Sequence, residues 1–303
     1  MINISVIICT YNRSNSLADT LCCLAKQSYN IQSWELIVVD NNSDDNTKEI
    51  VGQYSRKLPN LTYKFESQQG LSYARNLGIN SAHGDIIVFT DDDVLPDDDW
   101  LEKILFNMNQ YQCDACGGYI APKWEVSPPP WLTEIFYGFL AIKTESNGPR
   151  KLAIKDELPF GANMAFHRSI FFKYGLFDTQ KGRKGNVLAG GEDGDMFERI
   201  ILANCSVYYF PDIKVIHKVE ASRIKKNYFR RWRFQSSKNI AMTFTFEGSR
   251  RVFGVPLYLI TQMVRAIIKS SIYLITMPQD IAFRQEMIVW HFWGLIVGIL
   301  TST

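Results

Sequence analysis

The chain has 303 residues, 46% hydrophobic and 21% charged, which excludes a mainly disordered or collagen-like polypeptide and leaves enough apolar material for a sizeable core. Lys and Arg total 33 against 31 Asp and Glu, a formal charge of +2, so there is no global field of the kind that holds nucleic acid, and any basic function is local. At about 150 residues per domain, the length suits one large α/β domain with an appendage, or two smaller units.

Residues 1–9 carry no positively charged leader followed by a cleavage site, and the six cysteines (Cys9, Cys22, Cys23, Cys113, Cys116, Cys205) are scattered through apolar or ordinary segments. Both observations point to a reduced, cytoplasmic setting. Cys113 and Cys116 have the spacing of half a zinc site, but a tetrahedral site needs a second pair at comparable spacing, so both are read as structural.

Residues 4–9, 35–40, 61–65 and 85–90 are short apolar or alternating runs, separated by helix-compatible stretches of crossover length. This rhythm predicts a mostly parallel sheet whose strand carboxyl ends share one edge, where open α/β sheets bind ligands. Polar clusters follow three of the runs: Thr10-Tyr11-Asn12-Arg13, Asp40-Asn41-Asn42-Ser43 and Asp91-Asp92-Asp93.

From Tyr119 to Glu157 the pattern breaks, with Pro122, Pro128, Pro129 and Pro130 flanked by Trp124 and Trp131; this reads as a long excursion of the kind that forms a lid. Order resumes at residues 160–166, followed by a helix to Tyr174, a Gly- and Lys-rich loop at 182–191, and a helix from Glu192-Asp193 to Leu202. No internal repeat or low-complexity tract is present.

Residues 217–238 carry eight Lys or Arg against one acid, Glu220, interleaved with Tyr228, Phe229, Trp232 and Phe234. Residues 255–277 are apolar apart mainly from Gln262, Arg265 and Lys269 on one narrow helical face, and 287–300 form a second apolar stretch. Two mid-helix charges cost roughly 2.5–3.5 kcal/mol each to insert, and the last stretch is shorter than the ~20 residues of a span. The expectation is therefore helices lying on a membrane rather than crossing it.

Three adjacent carboxylates at a strand end repel one another unless a cation or donors offset the cost. A divalent metal is the simplest answer: hard carboxylate oxygens suit Mg²⁺ or Mn²⁺ bridging a diphosphate. The nearby Asp97, Asp98 and Asp99 are read as capping a helix that begins at Trp100.

Six segments together resemble the family-2 nucleotide-sugar glycosyltransferases of the GT-A fold, which are inverting enzymes of polysaccharide and glycan biosynthesis. They are Val6-Ile7-Ile8-Cys9-Thr10-Tyr11-Asn12-Arg13, Val38-Val39-Asp40-Asn41-Asn42-Ser43, Gly70-Leu71-Ser72-Tyr73-Ala74-Arg75-Asn76-Leu77-Gly78, Phe89-Thr90-Asp91-Asp92-Asp93, Gly161-Ala162-Asn163-Met164-Ala165-Phe166 and Gly191-Glu192-Asp193. Each is short, but six in the family's order and spacing are specific, and the likeness runs from residue 2 to about 232. It implies an α/β, Rossmann-like GT-A fold with a C-terminal helical, membrane-associating appendage. Residues 1–118 would bind the nucleotide sugar, 119–216 would form the acceptor-binding half of the same catalytic domain, and 217–303 would hold the basic segment and amphipathic helices.

The resemblance also implies roles. Thr10, Asn12, Arg13 and Asn42 would line the nucleoside site, and Asp40 would accept a hydrogen bond from a base imide N–H, favouring uracil or thymine over guanine. Arg75 would contact the nucleotide or its diphosphate. Among the aspartates, Asp93 would bind the metal, Asp91 would lie nearer ribose or sugar, and Asp92 would belong to the donor site. His217 would complete the metal site. Asp193, with Glu192 as second choice, would be the general base that inversion requires. Gly161, Asn163 and Trp131, with Trp124, would line the sugar and acceptor cleft. Arg223 would help hold the diphosphate.

The expected partners are a UDP- or dTDP-sugar, a glycan or lipid-linked acceptor and the inner face of the cell membrane, with Mn²⁺ or Mg²⁺ as cofactor, no nucleic acid and an open possibility of a homo-oligomer. Two rivals are a nucleotidyltransferase and a non-catalytic carbohydrate-binding protein on the same scaffold. The first calls for a Gly-rich phosphate loop after the opening strand, where Thr10-Tyr11-Asn12-Arg13 has no glycine. The second calls for loss of a metal or base carboxylate, yet Asp91, Asp93, Glu192 and Asp193 are all present.

Overall fold

A computed structural model describes residues 2–185, 188, 190–243 and 250–302. Asn186, Val187 and Ala189 of the Gly- and Lys-rich loop lie outside the described residues. The chain divides into two compact units, one comprising residues up to Lys123, Ala141–Gly185 and Gly190–Lys218, the other built mainly from Trp124–Leu140 and the chain from Val219 onward.

The first unit opens with the expected alternation: β1 (Ile4–Thr10), α1 (Ser14–Leu24), β2 (Trp34–Asp40), α2 (Thr47–Tyr54), β3 (Leu61–Phe65), α3 (Leu71–Ser81) and β4 (Ile86–Asp91). These four strands are parallel in the order β3-β2-β1-β4. Cys9 pairs with Asp91 and Thr10 with Asp40, so three polar strand ends lie side by side. That alignment follows from right-handed crossovers between parallel strands.

The chain continues through β5 (Val94–Pro96), α4 (Trp100–Tyr111), β6 (Ala115–Trp124), β7 (Arg150–Lys151), β8 (Met164–His167), α5 (Ser169–Tyr174), α6 (Glu192–Leu202) and β9 (Val207–Val219). These extend the same sheet as β4-β8-β6-β9-β5, with β7 beside β9. β8 runs antiparallel to β4 and β6, and β5 and β7 antiparallel to β9. The parallel arrangement thus holds for the first four strands and gives way to antiparallel pairing beyond β4. One such pairing has a direct consequence: Val94 stands opposite His217, which brings β9's histidine beside the aspartates that follow β4.

Alternation along each central strand divides the core between the two faces of the sheet. Ile4, Val6, Ile8, Leu36, Val38 and Val88 pack on one face, and Ile7, Ile37, Val39, Ile87 and Phe89 on the other. Coverage on both faces explains why these strands read as near-continuous apolar runs. Each such side chain contributes about 1.5–3 kcal/mol of burial free energy. Cys113 and Cys116 are buried free thiols, and Cys113 and Cys116 pack in the same core face. Asp99 does occupy the position before α4, but its side chain pairs with Lys103 at 2.8 Å instead of capping a backbone N–H, which corrects the capping expectation.

The second unit contains α7 (Lys226–Thr243), α8 (Leu257–Thr276) and α9 (Gln279–Ser302), with α9 packed against both other helices. A Cβ on Gly294 would lie 2.4 Å from the Phe234 carbonyl oxygen, and one on Gly298 would lie 2.5 Å from that of Lys238, so both glycines are needed for the close α7–α9 approach. Ser237 Oγ and His291 Nδ1 form a 2.8 Å hydrogen bond across the same interface. The stretch expected at 287–300 is thus part of a 24-residue helix, because the polar turns from Gln279 continue it without a break.

Trp131 is not free to line a cleft. It is 8% exposed and makes edge contacts with Phe136, Phe229 and Phe283 at 4.9–5.7 Å. Its apolar bulk is spent on packing the Pro-rich segment within this unit, and Trp124 lies against Tyr137. The basic segment is also less of a free cationic patch than its composition implies. Lys218 pairs with Asp19 at 2.6 Å within the first unit, and Arg230 with Glu286 at 2.6 Å within the second.

Candidate active site

Three groups of side chains gather where the parallel strands end. The first joins the loops after β1 and β2. Asn12 and Asn42 both have positive φ, at 53° and 65°, a conformation Asn tolerates better than most residues. The Asn12 N–H donates to Ser43 Oγ at 3.0 Å, and the Asp44 N–H donates to Asn12 Oδ1 at 2.9 Å. Asp40, 3% exposed, accepts from the Ser43 N–H at 2.9 Å and from the Tyr63 hydroxyl at 2.8 Å. A carboxylate oxygen has a second lone pair, so these bonds leave Asp40 further acceptor capacity.

Asn41, which the sequence alone did not single out as a site residue, ties in the chain after β3. Its Nδ2 donates to the Gln68 carbonyl at 2.7 Å, and its Oδ1 accepts from the Gly70 N–H at 2.7 Å. Tyr63 was also missed. No spacing signal marks either contact, because both depend on strands that are adjacent in space.

The second group surrounds the aspartates after β4. Thr10 Oγ1 donates to Asp92 Oδ2 at 2.8 Å. Arg13 Nη1 lies 2.9 Å from Asp93 Oδ2 and 3.3 Å from Asp92 Oδ1. His217 Nε2 is 3.3 Å from Asp93 Oδ2, with both side chains almost fully buried. Burial, then repulsion from Asp93, raises Asp91. Asp92 is pushed up to about 7 mainly by burial, with Asp93 and Asp91 adding to it against the pull of Arg13 and Thr10. Adjacent buried carboxylates repel one another, and Arg13 offsets part of that cost for Asp92.

The donor set fits a divalent cation in kind: a buried carboxylate beside an imidazole offers a hard oxygen and a nitrogen, which suit Mn²⁺ or Mg²⁺ completed by substrate oxygens. Among the described residues, however, no three His, Cys, Asp or Glu side chains converge as a preformed metal cage. Asp93 and His217 form a two-residue platform instead.

The third group corrects the expected role of Arg75. Its guanidinium is 3% exposed, and Nη1 lies 3.0 Å from Glu192 Oε1 and in direct contact with Asp193 Oδ1. The rings of Phe89 and Phe177 lie 5.8 and 5.3 Å from its centre. A buried guanidinium requires opposite charge, and Arg75 takes it from the two acids at the start of α6, so its fork is committed to them rather than held out for a diphosphate. Burial opposes the charge, but Asp193 and Glu192 outweigh it and shift Arg75 above its ordinary range.

Asp193 is held a second time by the Gly161 N–H, which donates to its Oδ2 at 2.8 Å. The absence of a side chain at Gly161 leaves this space to the guanidinium: a Cβ there would lie 2.1 Å from Arg75 Nη2, which would have to shift. Glu192, 4% exposed, is pushed up to about 7 by burial and then by Asp193, against Arg75. Its Oε2 has no hydrogen-bond partner among the described residues. Asp91 feels both Arg75 and Asp193, which links the acid pair electrostatically to the end of β4.

Asn163 is not a cleft residue. It is 1% exposed; its Oδ1 accepts from Trp100 Nε1 at 3.0 Å, and its Nδ2 donates to the carbonyls of Tyr119 and Ile213 at 3.1 and 3.0 Å. With its amide fully engaged in bridging α4, β6 and β9, it braces the sheet. Arg223 belongs to the second unit, where its guanidinium lies 5.6 Å from the Tyr228 ring.

Residues 5–175 match the family model described as Glycosyl transferase family 2. The chain is 26% identical over 220 residues to the glucosyl-dolichyl phosphate glucuronosyltransferase of Haloferax volcanii, covering 71% of this chain and 69% of that protein. It spans a smaller share, 39% and 29%, of two further curated relatives. In fold it is similar to mannosyltransferase PcManGT from Pyrobaculum calidifontis, solved with GDP-Man and Mn²⁺: TM-score 0.62, 19% identity, 99% of this chain and 86% of that one. It is also similar to TarS residues 1–349 of S. aureus, solved with UDP: TM-score 0.56, 14% identity, 97% of this chain and 89% of that one. The mixed α/β sheet, the curl that brings β9 back beside β5, and the family match over more than half of the sequence converge: the chain belongs to glycosyl transferase family 2 and is a glycosyltransferase of GT-A-like fold.

Proposed function

We propose that this glycosyltransferase inverts the anomeric centre of a nucleotide sugar, moving the sugar to a hydroxyl of a glycan acceptor carried on a lipid, at the cytoplasmic face of a membrane. The observation that carries the reading is the Asp193 carboxylate, held by the Gly161 N–H and Arg75 and electrostatically linked to Asp91 at the end of β4.

In the reaction, the acceptor oxygen attacks the anomeric carbon while Asp193 takes the hydroxyl proton. The bond from that carbon to the diphosphate oxygen breaks with inversion, and the electron pair leaves with the diphosphate. Arg75 and the Gly161 N–H hold the Asp193 carboxylate in place, so the base needs no reorganisation as the transition state forms. A divalent Mn²⁺ or Mg²⁺, held by Asp93 and His217, would withdraw charge from the departing diphosphate. Thr10 and Arg13 keep Asp92 and Asp93 oriented. The buried Asp40 carboxylate, an acceptor only, favours the imide N–H of uracil or thymine, hence a UDP- or dTDP-sugar. The PcManGT complex with GDP-Man and the TarS complex with UDP support a nucleotide-sugar donor without choosing the base. The Haloferax relative's named substrate, a glucosyl-dolichyl phosphate, supports a lipid-linked acceptor.

Thermal stabilisation by UDP, dTDP, GDP and CMP, with and without Mn²⁺, tests the donor site. A ligand at a hundred times its dissociation constant adds about 2.7 kcal/mol of stability. The expected result is metal-dependent stabilisation by UDP or dTDP that Asp93→Ala abolishes. Stabilisation by GDP alone would overturn the base assignment, and stabilisation by no nucleotide would overturn the donor site.

A further inference from the structure

The backbone around Asp40 has little freedom. Its carbonyl accepts from the Glu66 N–H at 2.9 Å, and the Asn41 N–H that follows it donates to the Thr10 carbonyl at 2.9 Å, so the chain is tied to the ends of β3 and β1. The carboxylate could still turn about its own side-chain bonds, whose terminal torsion is soft. Two donors oppose that turning, one on each oxygen: the Ser43 N–H on Oδ1 at 2.9 Å and the Tyr63 hydroxyl on Oδ2 at 2.8 Å. Ser43 belongs to the same loop as Asp40. Tyr63 stands on β3 opposite Val38, two positions before Phe65, the strand partner of Asp40. Alternation puts Val38 and Asp40 on one face of β2, and Tyr63 with Phe65 on one face of β3. The Tyr63 ring also packs against the hydrophobic core of that face, so its hydroxyl is fixed by the sheet and not by the loop. Burial, then its bond to the carboxylate, raises the Tyr63 hydroxyl above its ordinary range, which keeps it a donor at neutral pH.

A carboxylate held in one plane is a directional acceptor: it matches a base that presents an N–H and opposes one that presents a lone pair. Uracil and thymine carry a proton on N3, cytosine carries a bare nitrogen there, and methylation of uracil at N3 removes the proton. We propose that Tyr63 is a positioning residue that sets the plane of the Asp40 carboxylate and thereby the base selectivity of the donor site. The inference rests on Asp40 as the acceptor for the base and deepens that reading, moving the selectivity from one side chain to a pair on adjacent strands. Without the hydroxyl, Asp40 keeps its charge and its bond from Ser43 but regains freedom to turn, and an incoming N–H no longer meets a fixed oxygen. A site built to hydrogen-bond one group rejects analogues that lack it, so loosening the acceptor lowers discrimination between bases while contacts to the rest of the nucleotide persist.

The test titrates the full chain, with Mn²⁺ in every sample, against UDP, N3-methyl-UDP and CDP by calorimetry. The wild type is expected to bind UDP at least about tenfold more tightly than either analogue, equivalent to about 1.4 kcal/mol. Tyr63→Phe removes the hydroxyl alone; it should weaken UDP about three- to tenfold, the worth of one hydrogen bond, and leave N3-methyl-UDP unchanged, so that the ratio between them narrows. Tyr63→Met, which also lacks a hydroxyl but keeps apolar bulk, gives the same ratio should the phenylalanine variant melt early. Because each ratio is measured within one protein, a general loss of stability does not move it. An unchanged ratio in these variants would overturn the proposal, and so would an equal loss for all three nucleotides, which is what a loosened strand alone produces. A wild type that does not distinguish UDP from N3-methyl-UDP would bring down the Asp40 reading itself, and that outcome is seen before any variant is compared.

Discussion

Asp193 and Glu192 are neighbours in sequence with different surroundings. Asp193 is 21% exposed at its side chain and is held by a backbone N–H and a guanidinium, whereas Glu192 is 4% exposed, with no hydrogen-bond partner for Oε2 among the described residues. Asp193→Asn should lower kcat by about 10²–10⁴-fold, the usual contribution of a positioned base, and leave nucleotide stabilisation intact. Steady-state kinetics beside a thermal-shift assay separate the two effects; an equal loss of nucleotide binding would contradict the base role. Glu192, at about 7 instead of its ordinary 4.5, binds more protons folded than unfolded between those values. Its contribution to stability is therefore greatest below the unfolded value and declines as pH rises through about 7. Glu192→Gln should flatten that decline and remove an ionisation near pH 7 from the kcat/KM profile. An unchanged profile would place the observed ionisation elsewhere, Asp92 being the other group near 7.

At the scale of elements, two close approaches depend on residues without side chains. The loop before β8 carries Gly161 against Arg75, with no room for a methyl group. Gly161→Ala should displace the guanidinium and cost activity well beyond its effect on stability, which overpacking puts at about 1–3 kcal/mol. A variant with unaltered kcat and melting temperature would show that the cluster relaxes freely. On α9, Gly294 and Gly298 face the backbone of α7. Gly298→Val should loosen the helical unit by a similar amount, read as a lower melting temperature with nucleotide stabilisation unchanged. In both places the glycine was visible in the sequence, but its reason was not, because the opposing atom lies far along the chain.

At the scale of the whole molecule, α8 leaves large apolar side chains exposed, Ile268, Ile272, Leu274 and Ile275 among them. Among the described residues α8 is the one helix long and apolar enough to cross a membrane, and little of it is buried. Arg265 and Lys269 on it, both exposed, suit an interfacial position beside anionic headgroups. Leu274→Glu with Ile275→Glu, changing two largely exposed positions, should abolish co-sedimentation with anionic vesicles and leave the melt intact. Undiminished sedimentation would exclude α8 as the docking helix.

Periodicity and motif order alone determined the first four strands, the polar clusters at their ends, the family and the acids at the start of α6, since each depends on residues near one another in the chain. Tertiary structure decided how those groups are used. Arg75 became the partner of Glu192 and Asp193 because burial forces a guanidinium to find opposite charge, and α6 supplies it from more than a hundred positions away. His217 reached Asp93 through the antiparallel pairing of β5 with β9, which no local pattern announces. Asn163 and Trp131 went inward for the same kind of reason: three backbone and side-chain partners claimed the amide, and three aromatic rings claimed the indole. Local sequence sets which chemistry is available, and packing, through desolvation and the need to pair buried polar groups, determines which of it faces a ligand.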